Sequence, residues 1–338
     1  MAVRGDGSQG EKSARGGLKR LRWLTVACVL LSGMEALSLE TINLAIPTKS
    51  FQQVIYPIAQ ERGYMREEGI ELKIVFIEPT PSIQAALAGS VQFTAAGSSA
   101  LVAITKAGAP LKVVLAVNDR VHQWLLSKPE YAGPKSLKGK RIATTGVASV
   151  STFMLKQIFA QHGLDPNRDL VYLDTGTGNQ LPSLLAGAVD AAVLSVEQRY
   201  VGRAGGMREM IYFGNEVKNS WGTLATTDRF IKEQPKLTAG FIKATLKALR
   251  LIRKDRETTV SAVTKFSGIE RPLAARIYDD LIGTFTANGA VDDETQRNDL
   301  DIIRQVAGAS EASPIARGYN FSFALEADRQ LTQAGWRP

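Results

Sequence analysis

Residues 83–92 read Ile-Gln-Ala-Ala-Leu-Ala-Gly-Ser-Val-Gln, and 98 residues later 181–190 read Leu-Pro-Ser-Leu-Leu-Ala-Gly-Ala-Val-Asp. Each copy predicts a short helix closed by glycine (Gly89, Gly187), a polar residue, and a strand over 93–96 or 191–194. The echo extends backwards: Ala59-Gln60, Gly63 and a strand over 71–77 match Ala160-Gln161, Gly163 and a strand over 170–173. Two similar α/β lobes in one chain imply a cleft between them, a common place to hold a small molecule. A chance echo of Ala/Leu-rich helices is the competing reading.

Length agrees with two lobes, since 338 residues with 44% apolar side chains can fill two ordinary cores. Strands alternating with helices predict mostly parallel sheets. The apolar run 111–117 predicts a central strand. Residues 118–140 change character, with Pro129, Gly133 and Pro134 close together, and are the candidate crossing into a second lobe. The expected division is 1–38 signal, 39–118 first lobe, 119–218 second lobe, and 219–338 a helical return to the first. In that return, Ile242, Leu246, Leu249 and Ile252 form one helix face, and Lys243, Lys247, Arg250 and Lys254 form a solvated one. Residues 308–338 are weakly patterned and are expected to wrap back over the first lobe.

The formal charge of +8 divides between the ends. Six basic and three acidic residues leave +3 on residues 1–38, hence +5 on the rest. No basic stripe interleaves with aromatics, so no nucleic-acid partner is expected. Lys19-Arg-Leu-Arg22 followed by the uncharged run 23–31 predicts a secretory signal, because that run falls short of the ~20 residues of a membrane span. Small residues at Ala36 and Ser38 place the mature start near Leu37 or Leu39. An uncleaved anchor and lipidation at Cys28 are the alternatives. Cys28 is the sole cysteine, so a cleaved chain has neither disulfide nor thiol nucleophile.

Reactive constellations are sparse. His122 and His162 are not spaced as metal ligands and read as surface or helix-end residues. Gly176-Thr-Gly178 lacks the third glycine of a dinucleotide loop and reads as a turn. No metal or cofactor is expected. What recurs instead is small polar residues just after strands: Thr48-Lys49-Ser50, Gly97-Ser98-Ser99, and Ser149, Ser151 and Thr152. In a parallel sheet these share one edge, where helix N-termini offer unpaired N–H groups to an oxygen. Each hydroxyl can equally be an N-cap.

Taken together, 58–69 (Ile-Ala-Gln-Glu-Arg-Gly-Tyr-Met-Arg-Glu-Glu-Gly), 86–92, 137–142 (Leu-Lys-Gly-Lys-Arg-Ile) and 185–191 resemble the periplasmic substrate-binding proteins of ABC importers. The resemblance is to the nitrate/sulfonate/taurine group, which shares its fold with the thiamine-pyrimidine proteins, and it covers about residues 41–307. It implies a two-lobed periplasmic binding protein fold of type II, with two crossing segments as hinge. It also implies a monomer that captures a small anionic solute in the periplasm and delivers it to a permease and its ATPase, without catalysis. Carried over, the first-lobe site is Thr48, Lys49, Ser50, Phe51, Gly97, Ser98 and Ser99. The second-lobe site is Ala148, Ser149, Ser151, Thr152, Ser195 and Glu197, with Trp221 a wall where the chain returns. Similar proteins often carry Glu-Pro or Asp-Pro near the last position, where this chain has Glu197-Gln198. Two other classes stay open: a pyrimidine-forming enzyme of the same group, whose histidines and cysteine-rich motif this chain lacks, and a ligand-sensing module for a membrane receptor.

Overall fold

The computed structural model describes residues 39–176 and 178–338. The expected signal, with Cys28 and the cleavage positions, lies outside the described residues. Among the described residues ten strands form two five-stranded sheets. The first contains β1 (Glu40–Ile46), β2 (Ile70–Phe76), β3 (Phe93–Thr94), β4 (Leu111–Asn118) and β10 (Trp221–Thr227), in the order β2-β1-β3-β10-β4. The second contains β5 (Gln123–Ser127), β6 (Arg141–Thr144), β7 (Val171–Asp174), β8 (Ala191–Ser195) and β9 (Arg208–Tyr212), in the order β7-β6-β8-β5-β9. The two orders are the same pattern. In each, three strands run parallel and the fourth in the row is antiparallel to both neighbours. That antiparallel strand always comes from across the hinge: β5 follows β4 but joins the second sheet, and β10 follows β9 but joins the first.

Helices α1 (Ile55–Glu61), α2 (Tyr64–Glu67), α3 (Pro79–Ala88) and α4 (Gly97–Ala107) accompany the first four strands. The second sheet carries α5 (Val150–Gln161), α6 (Gln180–Leu185), α7 (Val196–Ala204) and α8 (Phe213–Glu216). After β10 come α9 (Asp228–Glu233), α10 (Pro235–Ile252), α11 (Arg256–Ser267), α12 (Arg271–Leu281), α13 (Asp293–Ala307), α14 (Ile315–Gly318) and α15 (Ser322–Gln333). Among the described residues no helix is long and apolar enough to cross a membrane, and no three His, Cys, Asp or Glu side chains gather as a metal site.

The repeated text has a repeated job. α3 closes on Gly89 at φ +81°, and α6 is followed by Gly187 at φ +74°, both left-handed positions that favour glycine. The polar residue ending each copy then reaches the second strand in the row of its sheet, β1 or β6. Asn43 N–H donates to Gln92 Oε1 at 2.8 Å, and Arg141 N–H donates to Asp190 Oδ2 at 3.0 Å. Both members of the second pair are shifted by 98 residues from the first. Asp190 also takes Lys128 and the Tyr131 hydroxyl, each at 3.1 Å. Burial alone would raise its carboxyl, but these donors outweigh burial and hold it below the ordinary value.

Three expectations are corrected by packing. β4 is not central; it is the edge of its ladder. Its apolarity has another cause, because the outer side is covered. Thr286 N–H donates to Val117 O at 2.9 Å, Ala116 N–H to Gly289 O at 2.8 Å and Asn320 N–H to Val113 O at 2.8 Å. The basic face of α10 is not a solvated face. Lys247, 5% exposed, lies 2.5 Å from Glu67 and 3.5 Å from Glu68. Lys243 lies 2.8 Å from Glu68 and Arg250 2.7 Å from Asp328 on α15, and of the four expected cations only Lys254 is exposed. His122 is not a surface residue: it is 2% exposed, between β4 and β5, with Nε2 2.7 Å from Thr284 Oγ1. Burial drives it down to about 3, so the ring is neutral. His162 does sit at a helix end, 3.2 Å from Glu216.

The second crossing, 213–220, is anchored by Asp299 of α13. Its carboxylate accepts from Asn219 Nδ2 (2.9 Å), Ser220 N–H (3.0 Å), Ser220 Oγ (2.6 Å) and the Tyr319 hydroxyl (2.9 Å). Burial outweighs these donors and pushes Asp299 up to about 6. A carboxyl raised in the folded state binds its proton more tightly there than in the unfolded chain. Its contribution is therefore full at low pH and is lost as pH rises from its ordinary value of 3.8 through about 6. The melting temperature of the protein minus that of Asp299→Asn should fall between about pH 4 and about pH 7, and thermal denaturation of the two across that window checks it.

Candidate functional site

β1 and β3 both end at the edge of the first sheet that faces the second lobe. After β1, Pro47 to Ser50 lead into a 3-10 turn, Phe51–Val54, rather than directly into an α-helix. Ser50 precedes that turn without capping it, and its hydroxyl is buried with no partner among the described residues. The tight turn brings Gln52 and Gln53 to the wall of a cavity of about 210 Å³. After β3, Ala95 and Ala96 lead into α4, which opens on the same cavity with Gly97, Ser98 and Ser99. The residue before α4 is Ala96, which has no side chain to accept from the first-turn N–H groups. Those groups, with the partial positive charge of the helix start, favour an oxygen in the cavity.

The remaining walls are Pro47, Pro79 and the start of β10: Trp221, Gly222 and Thr223. Two glycines set how closely these parts approach. A Cβ on Gly97 would stand 2.6 Å from Thr223 Cβ, so α4 can begin against β10 only with glycine there. Gly222 adopts φ +65°, and a Cβ there would lie 3.3 Å from both Asn118 Oδ1 and Val117 Cβ. The cavity is thus lined by residues that carry carboxamides, hydroxyls, backbone N–H groups and an indole.

Of the expected set, the structure brings Gly97, Ser98, Ser99 and Trp221 together here. Thr48 and Lys49 are exposed outside it, with Lys49 Nζ 5.4 Å from the centre of the Phe76 ring. Phe51 is fully buried, edge-on to Phe285 at 5.9 Å. Across the cleft, Ser149 caps α5, accepting from Thr152 N–H at 3.3 Å and lying 3.0 Å from Thr152 Oγ1. Thr152 donates to Gly146 O at 2.7 Å; Ser151 is buried and Ala148 exposed. Ser195 caps α7 in a reciprocal pair with Gln198. Glu197 reaches the first lobe, where Phe51 N–H donates to its Oε1 at 3.4 Å. Ser149 and Ser195 are thus engaged as caps and the Thr152 hydroxyl with the Gly146 carbonyl. Gln52, Gln53 and Thr223 were not read from the sequence. Two adjacent carboxamides after the first strand were the available signal.

The sequence profile of the family described as NMT1/THI5 like matches residues 50–258. The chain belongs to that family. No curated protein matches the sequence. The fold is that of the two-lobed periplasmic binding proteins. It is similar to the protein described as SsuA, a periplasmic sulfonate-binding protein of Methylobacillus flagellatus KT. That match has a TM-score of 0.73 at 16% identity and covers 89% of this chain and 98% of that one. The aliphatic sulphonate-binding SsuA of Escherichia coli gives 0.69 at 16% identity, over 83% and 92%. The nitrate-binding NrtA of Synechocystis PCC 6803 gives 0.69 at 12% identity, over 87% and 89%.

Gly97→Ala should destabilise the protein by about 1–3 kcal/mol, since the new methyl overpacks the junction of α4 with β10. Ser98→Ala, at a half-exposed position next to it, should stay within about 0.5 kcal/mol of the parent. Urea denaturation of the two variants tests the difference.

Proposed function

We propose that this protein is the extracytoplasmic solute-binding component of an ABC importer. In this reading it is exported to the periplasm, captures a small anionic solute between its lobes, and hands it unchanged to a permease and its ATPase. The observation that carries the reading is the uncapped start of α4 in a cavity walled by Gln52, Gln53 and Trp221. Backbone N–H groups and carboxamides can hold an oxyanion head without a buried counter-charge, and the indole with Pro47 and Pro79 can cover an apolar body. Family membership and the sulfonate- and nitrate-binding proteins of the same fold support it.

The second lobe closes the site in this reading. Ser149, Ser151, Thr152, Ser195 and Glu197 stand at the starts of α5 and α7, where further N–H groups converge. Ser98 and Ser99 contribute hydroxyls from the first lobe, and Lys49 supplies a cation at the rim. Both histidines are engaged away from the cavity, His122 with Thr284 and His162 with Glu216. The groups that line the cavity are suited to holding a solute rather than to transferring protons or electrons.

A thermal-shift screen of small organic and inorganic anions should find a solute that raises the melting temperature. Calorimetry should then show Trp221→Ala binding that solute about tenfold to a hundredfold more weakly, the range expected on losing ~1.5–3 kcal/mol of apolar contact. Mass spectrometry of the solute recovered from the complex should return its original mass. Chemical turnover would replace this reading with an enzymatic one.

A further inference from the structure

Helix α7 starts at the cleft with Glu197 and then turns two other side chains onto the first lobe. We propose that Arg199 and Tyr200 of α7, together with Asp280 of α12, form a clasp that sets how far the two lobes stand open. They are positioning residues for solute capture, not contacts to the solute. The inference rests on capture by lobe closure.

The donor half of the clasp is preformed within the second lobe. Arg199 Nε lies 2.7 Å from Glu209 Oε2 on β9. Its guanidinium sits 4.8 Å over the Trp124 ring, and Trp124 stacks on Tyr212 with ring centres 4.6 Å apart. The Arg199 side chain is only 12% exposed. One edge of the fork is therefore fixed inside its own lobe, and the other, through Nη1, pairs with Asp280 of the first lobe. The Tyr200 hydroxyl donates to the same Asp280 Oδ2 at 2.6 Å.

The acceptor half is equally fixed. Ile277 and Leu281 of α12 are buried in the core that α10 shares, and the Tyr278 hydroxyl donates to Ile252 O at 2.9 Å. Asp280 thus takes donors held rigidly by the other lobe, and little side-chain entropy is lost when they join. The same helix carries Glu197 to Phe51 N–H beside the cavity. Closure at Asp280 and closure at the cleft are linked through one short rigid element. A contact made in only one of two states shifts their populations by its differential free energy.

The test needs no solute. Nitroxide labels at exposed Thr80 of the first lobe and Val147 of the second, in a Cys28→Ser background, report the interlobe distance by pulsed electron paramagnetic resonance. Asp280→Asn should move the distribution to longer distances. Asp279→Asn is the control, because Asp279 on the same helix pairs with Arg256 inside the first lobe at 2.8 Å. It should leave the distribution unchanged, and both variants should still melt cooperatively. The proposal is overturned if Asp280→Asn superimposes on the parent, or if Asp279→Asn opens the lobes equally. Either result leaves solute binding intact. A failed solute screen with a positive Asp280 result would instead remove the transport reading and keep the clasp.

Discussion

The hydrogen bonding of β10 is the interaction on which the rest of the molecule depends. It lies between β3 and β4, antiparallel to both, so the first sheet is continuous only because a strand from beyond the second lobe enters it. Its arrival does three things at once. Thr226 donates to Gln92 O at 2.7 Å, tying it to the repeated segment. Thr223 meets Gly97 and fixes where α4 can start. Trp221 to Thr223 become a wall of the cavity. The hinge and the candidate site therefore share residues: a movement of the second crossing is also a movement of Trp221.

The helical return protects what β10 completes. Segments around 285–289 and 319–320 bond to the outer side of β4 and remove an open edge. α10 gains a partner on its charged face, with Glu67, Glu68 and Asp328 supplied by α2, its neighbouring turn and α15. A nearly buried Lys247 is tolerable because carboxylates accompany it. The hinge has its own polar core in His122, Asn118 and Thr284 near the first crossing and Asp299 at the second. Polar groups with fixed partners specify one path for the two crossings, where apolar packing alone would allow sliding.

The repeat was legible because helix-stop glycines and alternating apolar strands are local. Gly89 and Gly187, β3 and β8, and the cap residue Ser149 all follow from neighbours within a few positions. What could not be read depended on distant chain. β4 looks central by composition, but its second neighbour is a loop some 170 residues away rather than a strand. The basic face of α10 reads as solvated until α2, its neighbouring turn and α15 bring carboxylates to it. His122 has no sequence neighbour that would announce Thr284. The site was half legible for the same reason. Gly97-Ser98-Ser99 and Trp221 lie at recognisable strand boundaries, whereas Gln52 and Gln53 reach the cavity only because the turn before α1 is 3-10.

The exchange of β5 and β10 makes each half of the chain an incomplete template. Residues 39–118 alone would hold β3 and β4 with a strand-wide slot between them, and the second sheet without β5 would have the same vacancy between β8 and β9. Neither slot can be closed from within, because the local sequence that would fill it has been committed to the other side. The two halves must therefore mature together, through pairings of high sequence separation that form slowly. During that interval each slot can accept any chain bearing the right strand. The nearest such chain, when copies are crowded, is another molecule of the same protein, so reciprocal strand exchange between copies is the misassembly to which this architecture is most exposed.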